Sequence, residues 1–200
     1  MLKNVVFDIG NVLMVFDALN YGATYFKDAK MAKILQDAIN SYALWDKCDL
    51  GTRPVEEVIE EFAATVTGYE TIARTAIYAS LDYVLHADYT IPWIKELHAA
   101  GYKVYYLSNY NDYLRRLKPE ILDFVPYMDG GIFSCDVHML KPNREIYEAL
   151  LTKYNLKAEE CVFIDDRQAN IDGGKALGMQ GIVVQNHAQA YKDLRELLGY

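Results

Sequence analysis

Cysteine and histidine are scarce in this chain of 200 residues, and their spacing excludes several kinds of site. There are three cysteines and four histidines. The cysteines are odd in number and show no C-x-x-C spacing, and no two histidines are four residues apart, so neither a zinc site nor a disulfide framework is expected. We predict reduced, buried thiols, as in a cytoplasmic protein.

The chain also has few basic residues and lacks long apolar runs. Lysine and arginine total 20 against 28 acidic residues, a formal net charge of −8. Because basic side chains provide the affinity for nucleic acids, we expect no nucleic-acid partner. No window reaches the roughly 18 consecutive apolar residues of a membrane span, so we expect no membrane partner. Lys3, Asp8 and Asn11 interrupt the apolar start, and we expect no signal peptide there.

What remains is the composition of a globular α/β protein. The chain is 52% hydrophobic and 24% charged, which is ordinary for a protein with a real core. Its length suits one α/β domain, or a domain that carries a modest insertion. Buried strands are predicted at residues 3–8, 104–108, 131–134, 161–165 and 181–185. Helices are predicted at residues 91–100, 142–154, with Pro142 in the first turn, and 170–177. Strands that alternate with single helices predict a Rossmann-like doubly wound parallel sheet.

Residues 15–89 interrupt this alternation. They contain no convincing strand pattern, and helical spacing is found at residues 30–42, 54–67 and 71–85. We interpret this segment as a helical insertion that follows the first strand and covers the carboxyl edge of the sheet, where open α/β sheets bind ligands. The α/β core would then consist of residues 1–14 and 90–200.

Polar side chains stand directly after several of the predicted strands or before a helix. In a parallel sheet the carboxyl ends of the strands lie along one edge, so these side chains are expected to converge. Together they comprise a carboxylate, a hydroxyl with an amide, a lysine and a carboxylate pair. This set of groups is suited to bind one magnesium ion and one phosphoryl group. They are Asp8, Ser108 and Asn109, Lys141, and Asp165 with Asp166.

The acidic residues are suited to magnesium. A carboxylate attacks a phosphate dianion poorly because like charges repel, and Mg²⁺ between Asp8 and a phosphate oxygen would remove that repulsion. Mg²⁺ prefers carboxylates, carbonyls and water, so Asp8, Asp166 and a backbone carbonyl are candidate ligands. Asp165 would orient Asp166 or a metal-bound water.

The other polar residues are suited to a phosphoryl group. Ser108 and Asn109, at a strand-to-helix turn, can donate hydrogen bonds to its oxygens, and Lys141 adds a positive charge. A lysine just before a helix N-terminus is electrostatically unfavourable unless an anion lies beside it. Adjacent carboxylates such as Asp165 and Asp166 likewise repel each other unless a cation is near.

The order and placement of these motifs resemble the haloacid dehalogenase (HAD) superfamily over nearly the whole chain. The motifs are D-I-G-N-V-L at residues 8–13, S-N at 108–109, K-P at 141–142 and D-D at 165–166. They are most similar to those of bacterial sugar-phosphate phosphatases of the α-D-glucose-1-phosphate type, and the helical insertion resembles the small cap of the superfamily. The resemblance implies a Mg²⁺-dependent phosphatase that forms an aspartyl-phosphate on Asp8. It also implies metal ligation by Asp8, the Gly10 carbonyl and Asp166, and phosphate contacts from Ser108, Asn109 and Lys141.

Gly10 departs from the pattern of most phosphatases in the superfamily, which have a second aspartate at this position as general acid and base. A glycine keeps the backbone carbonyl but has no side chain to transfer a proton. Because general acid catalysis contributes roughly 10²–10⁴-fold, we expect slow turnover or a proton donor from the substrate, water or the cap. The phosphatases that the chain most resembles share this glycine.

Two other functions fit parts of the pattern. A 2-haloacid dehalogenase also uses an aspartate nucleophile and lacks the second acid, but it needs no metal, and the pair Asp165 and Asp166 would repel a haloacid. A phospho-ligand-binding protein with impaired catalysis would keep the metal site despite Gly10.

Within the insertion, Tyr42 and Trp45 are candidates to line a substrate site, with packing inside the cap as the alternative.

Overall fold

A parallel sheet of five strands lies at the centre of the protein. The computed structural model describes residues 1–26 and 28–199, without the side chains of residues 18 and 19. The strands in these residues are β1 (Asn4–Phe7), β2 (Met14–Phe16), β3 (Val84–His86), β4 (Lys103–Ser108), β5 (Gly130–Phe133), β6 (Cys161–Asp165) and β7 (Gln180–Val183). The central sheet has the order β5-β4-β1-β6-β7, and all of its neighbouring strands are parallel. The predicted α/β class is confirmed.

Eleven α-helices are found in the described residues. Five lie between β2 and β3: α1 (Ala18–Tyr25), α2 (Ala29–Tyr42), α3 (Leu44–Leu50), α4 (Val55–Thr65) and α5 (Glu70–Ala79). The others are α6 (Thr90–Ala99), α7 (Asp112–Leu117), α8 (Ser134–Val137), α9 (Arg144–Lys153), α10 (Gln168–Lys175) and α11 (His187–Leu198). None of the helices in the described part of the chain combines the length and hydropathy needed to cross a membrane.

Helices cover both faces of the central sheet. Alternate residues of a strand point to opposite faces, so Val5 and Phe7 pack with α6 and α11 on one side. Val6 packs with α9 and α10 on the other. Burial on both faces explains why β1 is a continuous apolar run.

The structure corrects the expectation that residues 15–89 contain no strand. β2 and β3 pair antiparallel, with Val15 opposite Leu85. The helix expected at residues 71–85 ends at Ala79 and is followed by a 3₁₀ turn, Ser80–Tyr83, before β3. Three-residue strands are too short to show an alternating pattern, and their partners are distant in sequence, so periodicity does not reveal them.

The inserted helices α1–α5 have their own apolar core. Helices α2–α5 share a cluster of buried side chains that includes Leu35, Leu44 and Phe62. A hydrogen bond connects the two chain segments that flank the insertion. The Thr90 hydroxyl donates to the Leu13 carbonyl over 2.7 Å.

One helix begins later than predicted. Helix α9 starts at Arg144 rather than with Pro142 in its first turn. Asn143 has an extended backbone (φ −64°, ψ 141°) and forms the N-cap. Pro142 therefore lies in the loop before the cap, in the segment that carries Lys141.

Candidate active site

The predicted strand-end residues meet at the carboxyl edge of the sheet. Asp8 follows β1, Ser108 ends β4 and Asp165 ends β6, and β1 lies between β4 and β6. All three side chains are buried. Adjacent parallel strands therefore bring together residues that are far apart in the sequence.

Lys141 lies between two of these carboxylates. Its Nζ is 2.8 Å from Asp8 Oδ1 and 2.7 Å from Asp165 Oδ2, and its side chain is only 1% exposed. Burial disfavours the charged amine, but the two carboxylates outweigh burial, so the pKa of Lys141 is raised. The lysine therefore stays protonated as the buried cation of the site.

Asn109 fixes the backbone of Lys141. Its Oδ1 accepts a hydrogen bond from the Lys141 backbone N–H over 2.9 Å, and its Nδ2 donates to the Lys141 carbonyl over 3.1 Å. Both ends of the Asn109 side chain are thus engaged with Lys141. In this arrangement the amide positions the lysine that pairs with Asp8.

Asp165 is fully buried and fully hydrogen-bonded. Its Oδ1 accepts from the Arg167 backbone N–H over 2.8 Å and from Asn170 Nδ2 over 3.0 Å. Its Oδ2 accepts from Lys141 Nζ and from Asn170 Nδ2. Asp165 therefore holds the lysine and the loop after β6 in place.

Asp8, Asp165 and Asp166 form a cluster of oxygen ligands. One carboxylate oxygen of each lies within 4.8 Å of the others. Asp166 is half-buried, and its Oδ2 accepts a hydrogen bond from Asn11 Nδ2 over 3.2 Å. Three carboxylates with one lysine leave an excess of negative charge, and oxygen donors are the ligands that Mg²⁺ prefers. The residues present therefore fit a divalent cation.

The electrostatics of Asp8 combine opposing effects. Burial raises the pKa of Asp8 to about 6, and the charge of Asp165 adds to the rise, whereas Lys141 and the Ser108 hydroxyl favour the ionised form. Lys141 and Ser108 thus counteract the cost of burying this carboxylate at the strand end.

A cavity of about 320 Å³ adjoins the cluster. Its walls come from the sheet edge, from the β2 and β3 region and from helix α3. They comprise Gly10, Asn11, Met14, Phe16, Trp45, Asp49, Ser80, Leu81, Val84, Asn109, Tyr110, Asn111 and Leu114. Trp45 therefore lines the cavity, as one interpretation of the sequence had it. Tyr42 instead donates a hydrogen bond to Glu61 over 2.8 Å and packs against Phe62.

The sequence did not identify Asp49 and Asn111 as residues that line this cavity. Asn111 Nδ2 donates to Asp49 Oδ1 over 3.0 Å, a contact between residues 62 positions apart. Asp49 lies in a helix rich in polar residues, and no spacing distinguishes it from Asp46. Its partner is in the loop after β4, so only the packing of α3 against that loop reveals the pair.

Solved structures with the same fold cover almost the whole chain. A HAD-like family hydrolase from Porphyromonas gingivalis superposes with a TM-score of 0.77 at 23% identity, covering 100% of this chain and 99% of that one. A HAD family enzyme from Bacteroides thetaiotaomicron, solved with magnesium and inorganic phosphate, gives a TM-score of 0.69 at 20% identity and covers 92% and 95% of the two chains. These likenesses establish the fold.

Three curated relatives are similar in sequence. The sesquiterpene phosphatase astK of Aspergillus oryzae is 26% identical, covering 98% of this chain and 97% of its own. The D-ribitol-5-phosphate phosphatase of Bacteroides thetaiotaomicron is 25% identical, covering 99% of both chains. A shorter match of 73 residues to mouse bifunctional epoxide hydrolase 2 is 38% identical but covers 36% of this chain and 13% of that protein.

A match to a protein-family model shows which family the chain belongs to. The model of haloacid dehalogenase-like hydrolases matches residues 2–178, which is most of the chain. This match confirms the resemblance drawn from the four motifs. The chain belongs to the haloacid dehalogenase-like hydrolase family.

Proposed function

We propose that this protein is a Mg²⁺-dependent phosphatase that hydrolyses a small phosphorylated metabolite through an aspartyl-phosphate on Asp8. The observation that carries the proposal is the arrangement around Asp8. This buried carboxylate is 2.8 Å from Lys141 Nζ and shares a cluster with Asp165 and Asp166. Two relatives that span nearly the whole chain are named as phosphatases, which supports the same chemistry.

Asp8, Asp166 and the Gly10 carbonyl would hold the ion. When bound, Mg²⁺ neutralises the repulsion between the attacking carboxylate and the phosphoryl oxygens. Asp165 is predicted to belong to the metal site as well, and its engaged oxygens favour a place beside the ion. There it would orient Lys141 and the loop that carries Asp166.

The side chains would then act on the phosphoryl group as follows. A carboxylate oxygen of Asp8 forms a bond to phosphorus while the bond between phosphorus and the ester oxygen breaks. Lys141 and Ser108 stabilise the negative charge on the phosphoryl oxygens, and Asn109 keeps Lys141 in place. Attack by water on phosphorus then releases phosphate and restores Asp8.

The cavity supports a small substrate such as a sugar phosphate. Its volume of about 320 Å³ accommodates a phosphoryl group with a small organic moiety. The side chains of Asn11, Asp49 and Asn111 add polar groups to its lining, and Trp45 adds an aromatic wall. We propose that the inserted helices α1–α5 act as the cap that selects this moiety.

A panel of phosphorylated metabolites assayed with Mg²⁺ tests the proposal. We expect hydrolysis of at least one small sugar phosphate, loss of activity with EDTA, and inhibition by beryllium fluoride with Mg²⁺. Activity that EDTA leaves unchanged would point to a metal-free dehalogenase. Trapping by beryllium fluoride without hydrolysis, even of p-nitrophenyl phosphate, would point to a phospho-ligand-binding protein.

We also propose a cytoplasmic location. Cys48, Cys135 and Cys161 are all free and buried, and burial raises the pKa of each thiol. Unpaired, protonated thiols are typical of a reducing compartment. Localisation of a fluorescently tagged chain would test this placement.

A further inference from the structure

The proposed reaction needs a proton for the departing ester oxygen, and the described residues of the sheet edge provide no suitable donor. Gly10 has no side chain, and a Cβ built there would meet only Asp8 Oδ2, at 3.9 Å, so this position is open. Lys141 carries protons, but its Nζ is paired with both Asp8 and Asp165, at 2.8 and 2.7 Å.

The geometry of the displacement shows where a donor must lie. In phosphoryl transfer the attacking and leaving oxygens are roughly in line through phosphorus. If Asp8 attacks from the end of β1, the leaving oxygen would point away from the sheet, toward the cavity that Gly10 and Asn109 line. The donor must therefore come from the cavity wall that faces the sheet edge.

Asp49, near the end of α3, lies in this wall. It lines the cavity together with Gly10 and Asn109. Among the described residues of the lining, Asp49 carries the only carboxyl group. Tyr110 also lines the cavity, but its hydroxyl oxygen is buried and burial raises its pKa, so near neutral pH it cannot accept a proton from water as a base must.

The core holds Asp49 in position. Asn111 Oδ1 accepts from the Leu114 N–H over 2.8 Å and caps α7, which leaves Asn111 Nδ2 to donate to Asp49 Oδ1. The buried Ser134 hydroxyl donates to the Asp49 carbonyl over 2.6 Å. At Gly51 (φ 66°) a Cβ would come within 2.7 Å of the Cys135 backbone, so the chain after Asp49 packs directly on the core.

We propose that Asp49 is the general acid and base of this phosphatase, an inference that rests on the proposed function. In the first half-reaction protonated Asp49 gives its proton to the ester oxygen as the bond from that oxygen to phosphorus breaks, and the alcohol leaves. In the second, the Asp49 carboxylate takes a proton from water as the water oxygen bonds to phosphorus and the bond from phosphorus to Asp8 breaks. Phosphate leaves, and both aspartates return to their starting states.

The environment of Asp49 suits this role. Burial raises the pKa of Asp49 to about 7, and the charges of Asp46 and Asp8 add to the rise, whereas Asn111 and Lys141 oppose it. A group with a pKa near the working pH can both donate and accept a proton. The phosphoryl group of a bound substrate adds negative charge nearby and favours the protonated form needed first.

Two substrates with different leaving groups test the proposal. p-Nitrophenolate leaves as a stable anion, whereas the alkoxide of a sugar phosphate needs a proton. For Asp49→Asn we expect kcat/KM for the sugar phosphate to fall by about 10²–10⁴-fold and kcat/KM for p-nitrophenyl phosphate to fall far less. Loss of the base should also produce a burst of p-nitrophenolate as phosphorylated Asp8 accumulates.

Asp37→Asn is the control, because Asp37 is an exposed acid in α2 that is paired with Lys33 and does not line the cavity. It should remain close to wild type on both substrates. Asp49→Ala serves if Asp49→Asn folds poorly, since the ratio between the two substrates does not depend on the amount of folded enzyme. Equal losses on both substrates, or none on the sugar phosphate, would overturn the role of Asp49. A wild-type enzyme that hydrolyses neither ester would overturn the proposed function instead.

Discussion

The sheet edge and the inserted helices contribute to the candidate site in different ways. At the edge, Asp8, Lys141 and Asp165 form a buried ion-pair network whose members follow strands or lie in a loop held by Asn109. The inserted helices contribute Trp45 and Asp49 to the opposite wall. Two residues of the core, Asn111 and Ser134, form hydrogen bonds with Asp49.

This difference suggests a division of labour. The topology of the parallel sheet fixes the groups proposed to bind and attack phosphorus. The groups proposed to meet the organic moiety and to move the proton lie on α3, which contacts the loop after β4 and helix α8. The following changes separate these two contributions.

The largest loss is expected from Asp8→Asn, which removes the proposed nucleophile while keeping its shape. Turnover should fall by roughly 10⁴-fold or more, as when a nucleophile is lost from other enzymes. No phosphate should remain bound to the denatured protein after a quench in acid. Asp37→Asn, an exposed acid in α2 paired with Lys33, should keep wild-type activity. A wild-type rate for Asp8→Asn would show that another group attacks phosphorus.

Lys141→Met tests how far the sheet edge depends on its buried cation. The change leaves Asp8 and Asp165 buried without their partner, and breaking such a pair typically costs about 3–5 kcal/mol. We expect a loss of this size in the free energy of unfolding in urea, with part recovered by Mg²⁺. Lys192→Met, at a side chain that is 72% exposed, should change it by less than about 1 kcal/mol. A Lys141→Met protein as stable as wild type would contradict the ion-pair network.

The contrast between the sheet edge and the inserted helices also explains which parts of the site could be predicted from the sequence. Asp8, Asp165 and Asp166 follow apolar runs that become buried strands. Because the carboxyl ends of parallel strands share one edge of a sheet, the order of the motifs along the chain is enough to predict that these acids lie together. The side-chain contacts of Asn109 with the Lys141 backbone could not be foreseen, because they depend on where the loop between α8 and α9 lies relative to the end of β4.

Features of the insertion were harder to predict because they depend on contacts between distant residues. β2 and β3 are each three residues long, and Met14 pairs with His86 at the far end of the insertion. The position of Asp49 depends on Asn111 and on Ser134, which follows β5. Periodicity reports which face of a helix is apolar, but it does not report which loop that helix contacts.

Gly10→Asp combined with Asp49→Asn tests whether a carboxyl group on the sheet edge can replace one on α3. Position 10 has room for a side chain, since a Cβ meets no atom closer than 3.9 Å. We expect the double variant to recover at least about 10-fold of the sugar-phosphate kcat/KM lost in Asp49→Asn, within the range for acid–base catalysis. The single variant Gly10→Asp is the control, and its activity shows that an aspartate at position 10 does not itself prevent hydrolysis. An active single variant without recovery in the double variant would mean that a carboxyl group at position 10 cannot replace the one on α3.

The smallest effect is expected from Asn111→Asp, which acts on the contact between the two regions. Asparagine and aspartate cap helices about equally well, so α7 should keep its N-cap while Asp49 loses the amide that donates to it. That hydrogen bond lowers the pKa of Asp49, so its loss, together with a new negative charge, raises the pKa. Because the first half-reaction needs protonated Asp49, activity falls as pH rises through this pKa, and the alkaline limb of kcat/KM against pH should move to higher pH. An unmoved limb in a stably folded variant would show that another group controls it.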